Sequence, residues 1–600
     1  MEGGVMYIAG IDVGGTNTDA ALIRDGVVVA TAKVPTDHAH LVESTMAALE
    51  AVLNGHGKGE PFQLHLSTTL STNAIIEDQG DPVAVLAIPG PGMRIEQLGL
   101  GFPVELLRGS IDHRGREVAG LNPVEIQQRL RNAHREGYMA LAVVGKFSHR
   151  NPVHELEIEG MAKVHDQDFR HITLGHRLSG RPNFPRRLAT SYLNASVAGQ
   201  QAQFVDMVDN LIIQGRNISS VYLLKADGGT MTLKDSLIRP VETILSGPAA
   251  SIMGAQALMM HEGANAVIVD IGGTTTDIAV QVGGEAVFQR QGAEIAHHKT
   301  LVPALFARSM GLGGDSEVRV VEHRQHHEDQ GEGGERRWQL AIGPRRAGVP
   351  AALGGTKVTP TDAAVALGLA SLGDATRARQ AVAGLGEALG LDMEAMAKAI
   401  VDAFNRQLIE AILGVYRDLE ARPVYTVSEL LAPENIRPQV IVGLGGPAEV
   451  FIPLVARSMD IPWEILPHHK EANAVGAAAS RPTAAVTLHA DTALATMTVP
   501  EMDYVGKIPR PLFFDLKKAR AEATRWAASK GAELGVTELD DIVIMEEESF
   551  NLVRGFYTTG RIFTIRAQVR PSVRRIGVPS SQDESGQSIP SGKDDPHGSN

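Results

Sequence analysis

Two eight-residue stretches carry almost the same side chains: DVGGTNTD at residues 12–19 and DIGGTTTD at residues 270–277. Asp12/Asp270, Gly14/Gly272, Gly15/Gly273, Thr16/Thr274, Thr18/Thr276 and Asp19/Asp277 are identical pairs. Two glycines in a row let a backbone bend and bring bare N–H groups up to an anion. Threonine hydroxyls add donors that reach phosphate oxygens. A carboxylate does not sit on phosphate directly, but it holds Mg2+ through water, and the metal neutralises the phosphates. These residue types therefore specify a grip on a polyphosphate. Gly14, Gly15, Thr16 and Thr18, with Gly272, Gly273, Thr274 and Thr275, are the expected cradle. Asp12 and Asp270 are the expected metal and catalytic positions. Asp19 and Asp277 are further catalytic candidates, with capping of turn N–H groups as the other reading.

Each copy needs the same support. An apolar run precedes it, Met6–Ile11 or Ala266–Val269, and reads as a buried strand. Another apolar segment follows, Ala20–Ile23 or Ile278–Val282, then a turn signal, Asp25-Gly26 or Gly283-Gly284. A further β-rich run closes each unit, Val27–Val34 or Ala286–Gln289. Both copies thus sit in strand–tight turn–strand–hairpin units, which predicts two similar lobes facing each other. Around them the pattern is mixed α/β. Helices are expected at Pro123–Gly137, Arg187–Gln214, Thr361–Leu372, Ala381–Leu389 and Met393–Leu413. Strands are expected at Ala84–Ile88, Ala140–Val144, Val221–Leu224 and Val440–Val442. Ala472–Ala479 reads as a helix packed closely through small residues.

Other phosphate motifs do not fit. The sequence has no G-x-x-x-x-G-K-[ST]. The dinucleotide fingerprint needs a helix right after its glycine turn, and both copies here run into hairpins. A third glycine cluster, Gly443, Gly445 and Gly446 in VIVGLGGPAEV, is bare enough to lie against adenosine; a tightly packed strand-to-helix turn is the alternative. His149 and His154 lie in FSHRNPVHE, downstream of Asp112 and His113. Together they could hold a metal or simply be hydrogen-bonded. Arg181, Asn183, Arg186 and Arg187 could bind an anion or form salt bridges. Ser246 fits a turn better than a nucleophile, because no G-x-S-x-G surrounds it.

Composition removes several classes. The net charge is −14 and aromatics are 4% of the chain, both poor for gripping nucleic acid. No run approaches the roughly 18 apolar residues of a membrane helix. Cysteine is absent, so disulfides, thiolate catalysis and Cys-ligated zinc are excluded. The N-terminus lacks a basic start and a cleavage site, so no signal peptide and a cytoplasmic location are expected. Residues 322–337, charged and Gly-rich, read as a solvated loop. Its His323, His326 and His327 are a weaker metal candidate. Residues 571–600 read as a disordered tail.

The duplicated loops and the third glycine cluster, in this order, resemble the actin/sugar-kinase/Hsp70-like superfamily. Within it the chain looks like the hydantoinase A/5-oxoprolinase family. The resemblance is carried by GIDVGGTNTDAAL (10–22), STTLSTNAIIE (67–77), NPVHE (151–155), RRLATSYLNASV (186–197), KADGGTM (225–231), ETILSGPAASIMGA (242–255), VIVDIGGTTTDIAV (267–280), TPTDAAVALG (359–368) and ANAVGAAAS (472–480). It implies a two-lobed, ribonuclease H-like α/β fold that closes on ATP and Mg2+. It implies phosphorylation of a cyclic amide or imide carbonyl, as in hydantoin, 5-oxoproline or a related lactam, or else a subunit of a ketone carboxylase. A non-metabolic ATPase of the same fold is a third reading. A hydantoinase B-type partner and an oligomer are implied, and His154 fits the family pattern for a second divalent metal. The implied organisation is an N-terminal lobe over 1–190, a second lobe over 191–482, a small α/β segment over 483–570 and a tail from 571. One departure lies in the stretch Gly311-Leu312-Gly313-Gly314-Asp315-Ser316, where the family often has a third glycine in place of the acid.

Overall fold

The computed structural model describes residues 7–577 apart from 38–39, 57–58, 165–168, 214–216, 261–262, 325–335, 388, 422–435 and 537–540. Its first sheet grows from β1 (Tyr7–Val13), which is buried at every position, as a central strand covered on both faces must be. Antiparallel to it runs β2 (Asn17–Arg24), followed by β3 (Val27–Pro35). On its other side β4 (Phe62–Thr68) and β5 (Ile218–Leu224) are parallel. The second sheet repeats this plan. β6 (Ala266–Ile271) pairs antiparallel with β7 (Thr276–Val282) and parallel with β8 (Val440–Leu444), beyond which Trp463–Ile465 adds a parallel strand. Registers match as well: Asp12 stands opposite Asp19, and Asp270 opposite Asp277. The expected duplication is thus one of topology and register, and the fold is two-lobed α/β.

Between the sheets lie two helices made largely of small residues, α1 (Ser246–Leu258) and α2 (Ala472–Ala479). A β-carbon on Gly254 would stand 2.2 Å from the Ala472 carbonyl, and one on Gly476 would stand 2.1 Å from the Ala250 carbonyl. Gly10 of β1 is equally tight against the Ala474 carbonyl, at 2.1 Å. Only glycine permits such approach, so the two helices fix the lobes to one another at backbone distance.

Several expectations change. The second unit does not close with a continuous strand over Ala286–Gln289: Glu285–Ala286 pairs with β7, Phe288 makes an isolated bridge to Leu305, and Ala307–Met310 takes the main place beside β7. Arg187–Gln214 is two helices, Phe184–Ser196 and Ala198–Ile213. At the break Ser196 Oγ donates to the Leu193 carbonyl at 2.9 Å and competes with the helical ladder. Because β5 belongs to the first sheet, the first lobe reaches well past residue 190. The charged segment at 322–337 is strand at both ends, where Arg324 pairs with Arg336; its middle, with His326 and His327, lies outside the described residues. Residues 571–577 run back against the body, with bridges from Val573 to Ser480 and from Gly577 to Val27; 578–600 lie outside the described residues.

A separate five-stranded sheet follows: β9 (Ala485–Asp491), β10 (Thr496–Val499), β11 (Tyr504–Lys507), β12 (Ile542–Arg554) and β13 (Tyr557–Val569), in the order β11-β10-β9-β13-β12. Helix α3 (Leu516–Glu533) covers one face through Ala519, Ala523 and Ala527.

Candidate active site

The tight turns after β1 and β6 expose what a ligand would touch. Gly15, Thr16 and Thr275 are exposed, while Gly14, Gly272, Gly273 and Thr274 are half-buried. Each turn is closed by its own backbone, Gly14 N–H to the Asn17 carbonyl at 3.1 Å and Gly272 N–H to the Thr275 carbonyl at 2.9 Å. Thr18 and Thr276 point inward instead. The Thr18 hydroxyl lies 3.0 Å from that of Thr36, and Thr276 Oγ1 donates to the Leu312 carbonyl at 2.6 Å. Both threonines brace their loops from below.

The aspartates converge. Asn473 on α2 donates to Asp12 Oδ2 at 3.4 Å; Ser251 on α1 donates to Asp270 Oδ2 at 2.6 Å and lies 3.0 Å from Asn473 Oδ1. A polar chain, Asp12–Asn473–Ser251–Asp270, therefore runs across the inter-lobe helices. Burial pushes the Asp12 carboxyl above its ordinary range; Ser67 and Asn473 oppose this, and the charge of Asp270 adds to it. Burial raises Asp270 too, against its bonds to Ser251 and Asn473. Asp19 is raised to about 7 by burial although Lys33 Nζ lies 2.5 Å away. Asp277 is also raised to about 7 by burial, with Ser309 donating to it. One oxygen of Asp12, Oδ1, is buried without a hydrogen-bond partner. A buried acceptor left in that state is costly, and a cation with its waters is the group that would satisfy it.

The third glycine cluster divides. Gly443 is packed inside β8, where a β-carbon would stand 2.5 Å from Ile465. Gly445, at φ +82°, lies against the second loop, with the Ile271 carbonyl 2.1 Å from the place of a β-carbon. Only Gly446 of the three faces open space. Asp315, the acid in the altered glycine stretch, lies over the second loop, its Oδ2 2.5 Å from where a Gly273 β-carbon would stand. Burial raises its carboxyl, partly offset by Arg346.

The remaining candidates sit elsewhere. His154 is buried with Nε2 3.1 Å from Glu117 Oε1 and Nδ1 unpartnered. Among the described residues no group of three His, Asp or Glu side chains stands ready to hold a metal, so His154 has one carboxylate and no wider donor set. His149 is buried against His489. Arg187 is fully buried and donates to the carbonyls of Gly145, Lys146 and Arg181, a structural role. Asn183 caps its helix by accepting from Arg186 N–H at 3.2 Å. Ser246 donates to the Thr68 carbonyl at 2.9 Å and anchors α1. The residues that sequence reasoning did not single out are Asn473, Ser251 and Lys33. Asn473 carries a usable signal: it is the one polar side chain in a helix otherwise made of alanine, glycine and a valine.

Two family models match the chain. The hydantoinase/oxoprolinase N-terminal region covers residues 8–165, and hydantoinase/oxoprolinase covers 187–486. Caprolactamase subunit alpha of Pseudomonas jessenii is 26% identical over 456 residues, spanning 68% of this chain and 62% of that one. Acetophenone carboxylase gamma subunit of Aromatoleum aromaticum is 26% identical over 403 residues, spanning 60% of this chain and 52% of the relative. The chain therefore spans between half and two thirds of the length of these curated relatives. The crystal structure of ATP-dependent caprolactamase from Pseudomonas jessenii superposes with a TM-score of 0.67 at 19% identity, over 95% of this chain and 88% of that one. Nucleotide-free acetone carboxylase gives 0.66 at 17% identity, over 96% and 88%. These likenesses show the fold. No helix among the described residues is long and apolar enough to cross a membrane.

Proposed function

The chain belongs to the hydantoinase/oxoprolinase family, and we propose that it is the ATP-using subunit of an enzyme that opens a small cyclic amide or imide. The polyphosphate would lie between Gly14–Thr16 and Gly272–Thr275, with adenosine toward Gly446. Asp12 and Asp270 would hold Mg2+ through water, and the ion supplies charge neutralisation at the phosphates. The observation that carries this reading is the convergence of two equivalent hairpins on one polar link, Asp12–Asn473–Ser251–Asp270, with an unpartnered acceptor at Asp12 Oδ1.

The chemistry follows from what an amide resists. Resonance makes its carbonyl a poor electrophile, and opening an unstrained ring can be uphill. Transfer of a phosphoryl group to the carbonyl oxygen creates a leaving group. Water then adds to the carbon, the C–N bond breaks as a proton passes to the ring nitrogen, and a second water splits the resulting acyl phosphate into carboxylate and phosphate. Asp19 and Asp277, both held near pH 7, are suited to move a proton at that pH. Glycine-flanked loops on two lobes can exclude stray water from the activated carbonyl. Two of the curated relatives are named as subunits, which supports a partner subunit; a hydantoinase B-type partner and a cytoplasmic setting, where ATP is plentiful, are part of the same proposal.

The test has two arms. Titration calorimetry should show Mg-ATP binding that collapses in Asp12→Ala and in Gly273→Val, whose side chain would strike Asp315. Turnover with hydantoins, 5-oxoproline and larger lactams, with and without a hydantoinase B-type partner, should yield ring-opened product in step with ADP. Wild-type affinity in both variants sinks the nucleotide site. A carboxylated ketone appearing only with bicarbonate would move the chain to the carboxylase branch, and stimulation by unfolded peptide alone would make it a non-metabolic ATPase.

A further inference from the structure

The C-terminal sheet ends in an arm. β9 pairs with β13 only from Gln568 back to Ile562, whereas β12 continues beside β13 to the turn at Gly555. Arg561 still bonds Thr492 and Gly560 lies against Ala493, so residues 552–559 project as a two-stranded ribbon beyond the rest of the sheet. Such a ribbon is marginal in water on its own. It is also apolar: Phe550 is 57% exposed, Val553 63%, Tyr557 79%, and Phe556 fully so. β12 is the edge strand and pairs on its outer side with no strand among the described residues. Neither lysine nor proline, the usual guards of an open edge, occurs between residues 542 and 561.

The order of side chains on this edge says what fits it. Glu547 meets Arg520 of α3 at 2.8 Å, so beyond the register shift at Ile544–Glu546 the odd positions face that helix. Alternation turns Glu548, Phe550, Leu552 and Arg554 to the opposite face. Laid antiparallel against a second copy about a twofold axis at Asn551, this strand sets Glu548 against Arg554 and Phe550 against Leu552, each pair twice. Opposite charges and apolar pairs directly across strands are the stabilising combinations. Glu548 and Arg554 form no ion pair within the chain among the described residues, although Glu548 acts electrostatically on Arg150.

We propose that the 548–554 edge is the dimerisation strand of this protein, joining the C-terminal sheets of two copies into one continuous sheet. A one-residue slip would set Glu548 against Val553 or Gly555 and put the even face of one copy beside the odd face of the other, so the register is specified. The arrangement is isologous, as a twofold interface must be. It does not depend on the nucleotide-site reading.

Sedimentation velocity on the full chain across a concentration series tests it. The wild type should dimerise. Arg554→Glu creates two facing carboxylate pairs, and Glu548→Arg two facing cation pairs; each should raise the dimer dissociation constant at least tenfold. The double variant E548R/R554E reverses both pairs and should restore the dimer. These positions are exposed, and a circular dichroism melt would confirm that the variants fold. A wild type that stays monomeric at every concentration, or a double variant as dissociated as the singles, overturns the proposal.

Discussion

The two glycine loops share their sequence, their register and their sheet topology, yet they are held by different means. The first is braced within its own hairpin: Thr36 N–H donates to the Thr16 carbonyl at 3.0 Å and Thr36 Oγ1 to the Gly14 carbonyl at 2.9 Å. A distant stretch braces the second, with Gly314 N–H on the Gly272 carbonyl and Asp315 N–H on the Gly273 carbonyl at 2.9 and 2.7 Å. Their acids differ in the same way. Asp270 has a 2.6 Å bond from Ser251 and Asp277 a bond from Ser309. Asp12 has a long bond from Asn473, the influence of the Ser67 hydroxyl and an unsatisfied oxygen, and Asp19 is paired with a lysine. Duplication of a motif has thus not duplicated its electrostatics. The first loop holds the acid with an unfilled acceptor, Asp12 Oδ1, and a cation should be held more tightly by Asp12 than by Asp270.

The largest expected effect follows from that asymmetry. Asp12→Asn should reduce ATP turnover by about a hundredfold or more, the usual cost of removing a preorganised group at developing charge, and should raise the Mg2+ needed for half-maximal rate. Asp270→Asn keeps its partner Ser251 and should cost about tenfold. Steady-state rates over a Mg2+ series separate the two. Equal losses and equal Mg2+ shifts would show the halves to be interchangeable.

A middle-sized effect belongs to the link between the loops. Asn473→Ala removes the one side chain bonded toward both Asp12 and Asp270. Loss of one hydrogen bond to a charged group is worth about 1.5–3 kcal/mol, so Mg-ATP affinity should fall roughly tenfold or somewhat more. Ser251→Ala breaks only the second half of the chain and should cost less. If Ser251→Ala proves the more damaging, the second loop rather than the first carries the metal.

What the sequence made legible was local and repeated. An aspartate at a strand end, two glycines and a second aspartate fix a hairpin whose register follows from spacing alone, so Asp12–Asp19 and Asp270–Asp277 could be paired on paper. The close helix at 472–479 was likewise readable from its small residues. Tertiary choices were not. Whether Gly443 and Gly445 face a ligand or a neighbouring backbone depends on Ile465 and Ile271, which no spacing rule connects to them. Ala307–Met310 replaced the expected third strand because the chain leaves and re-enters the sheet. The C-terminal stretch 571–577 looks polar and aperiodic, yet it pairs with Ser480 and Val27, since backbone bridging asks nothing of side-chain periodicity.

The smallest effect concerns protons. Asp19 and Asp277 are both raised to about 7 by burial, but only Asp19 has a cation beside it, and Lys33 is more than a third exposed. An aspartate raised in the fold ionises at lower pH when unfolded, so the unfolded state binds fewer protons between about pH 4 and pH 7. Each acid therefore lowers stability as pH rises through that window, and the loss levels off above its folded pKa. Lys33→Met withdraws the partner that opposes burial at Asp19. Its titration should move up by about one unit at most, given the lysine's exposure. Stability should then continue to fall slightly above pH 7 in the variant where the wild type is level. Carboxyl-carbon NMR of the ligand-free protein should show Asp19 displaced and Asp277 unmoved. Displacement of both would mean that the four carboxylates titrate as one cluster, and the distinction between the loops would not extend to their protons.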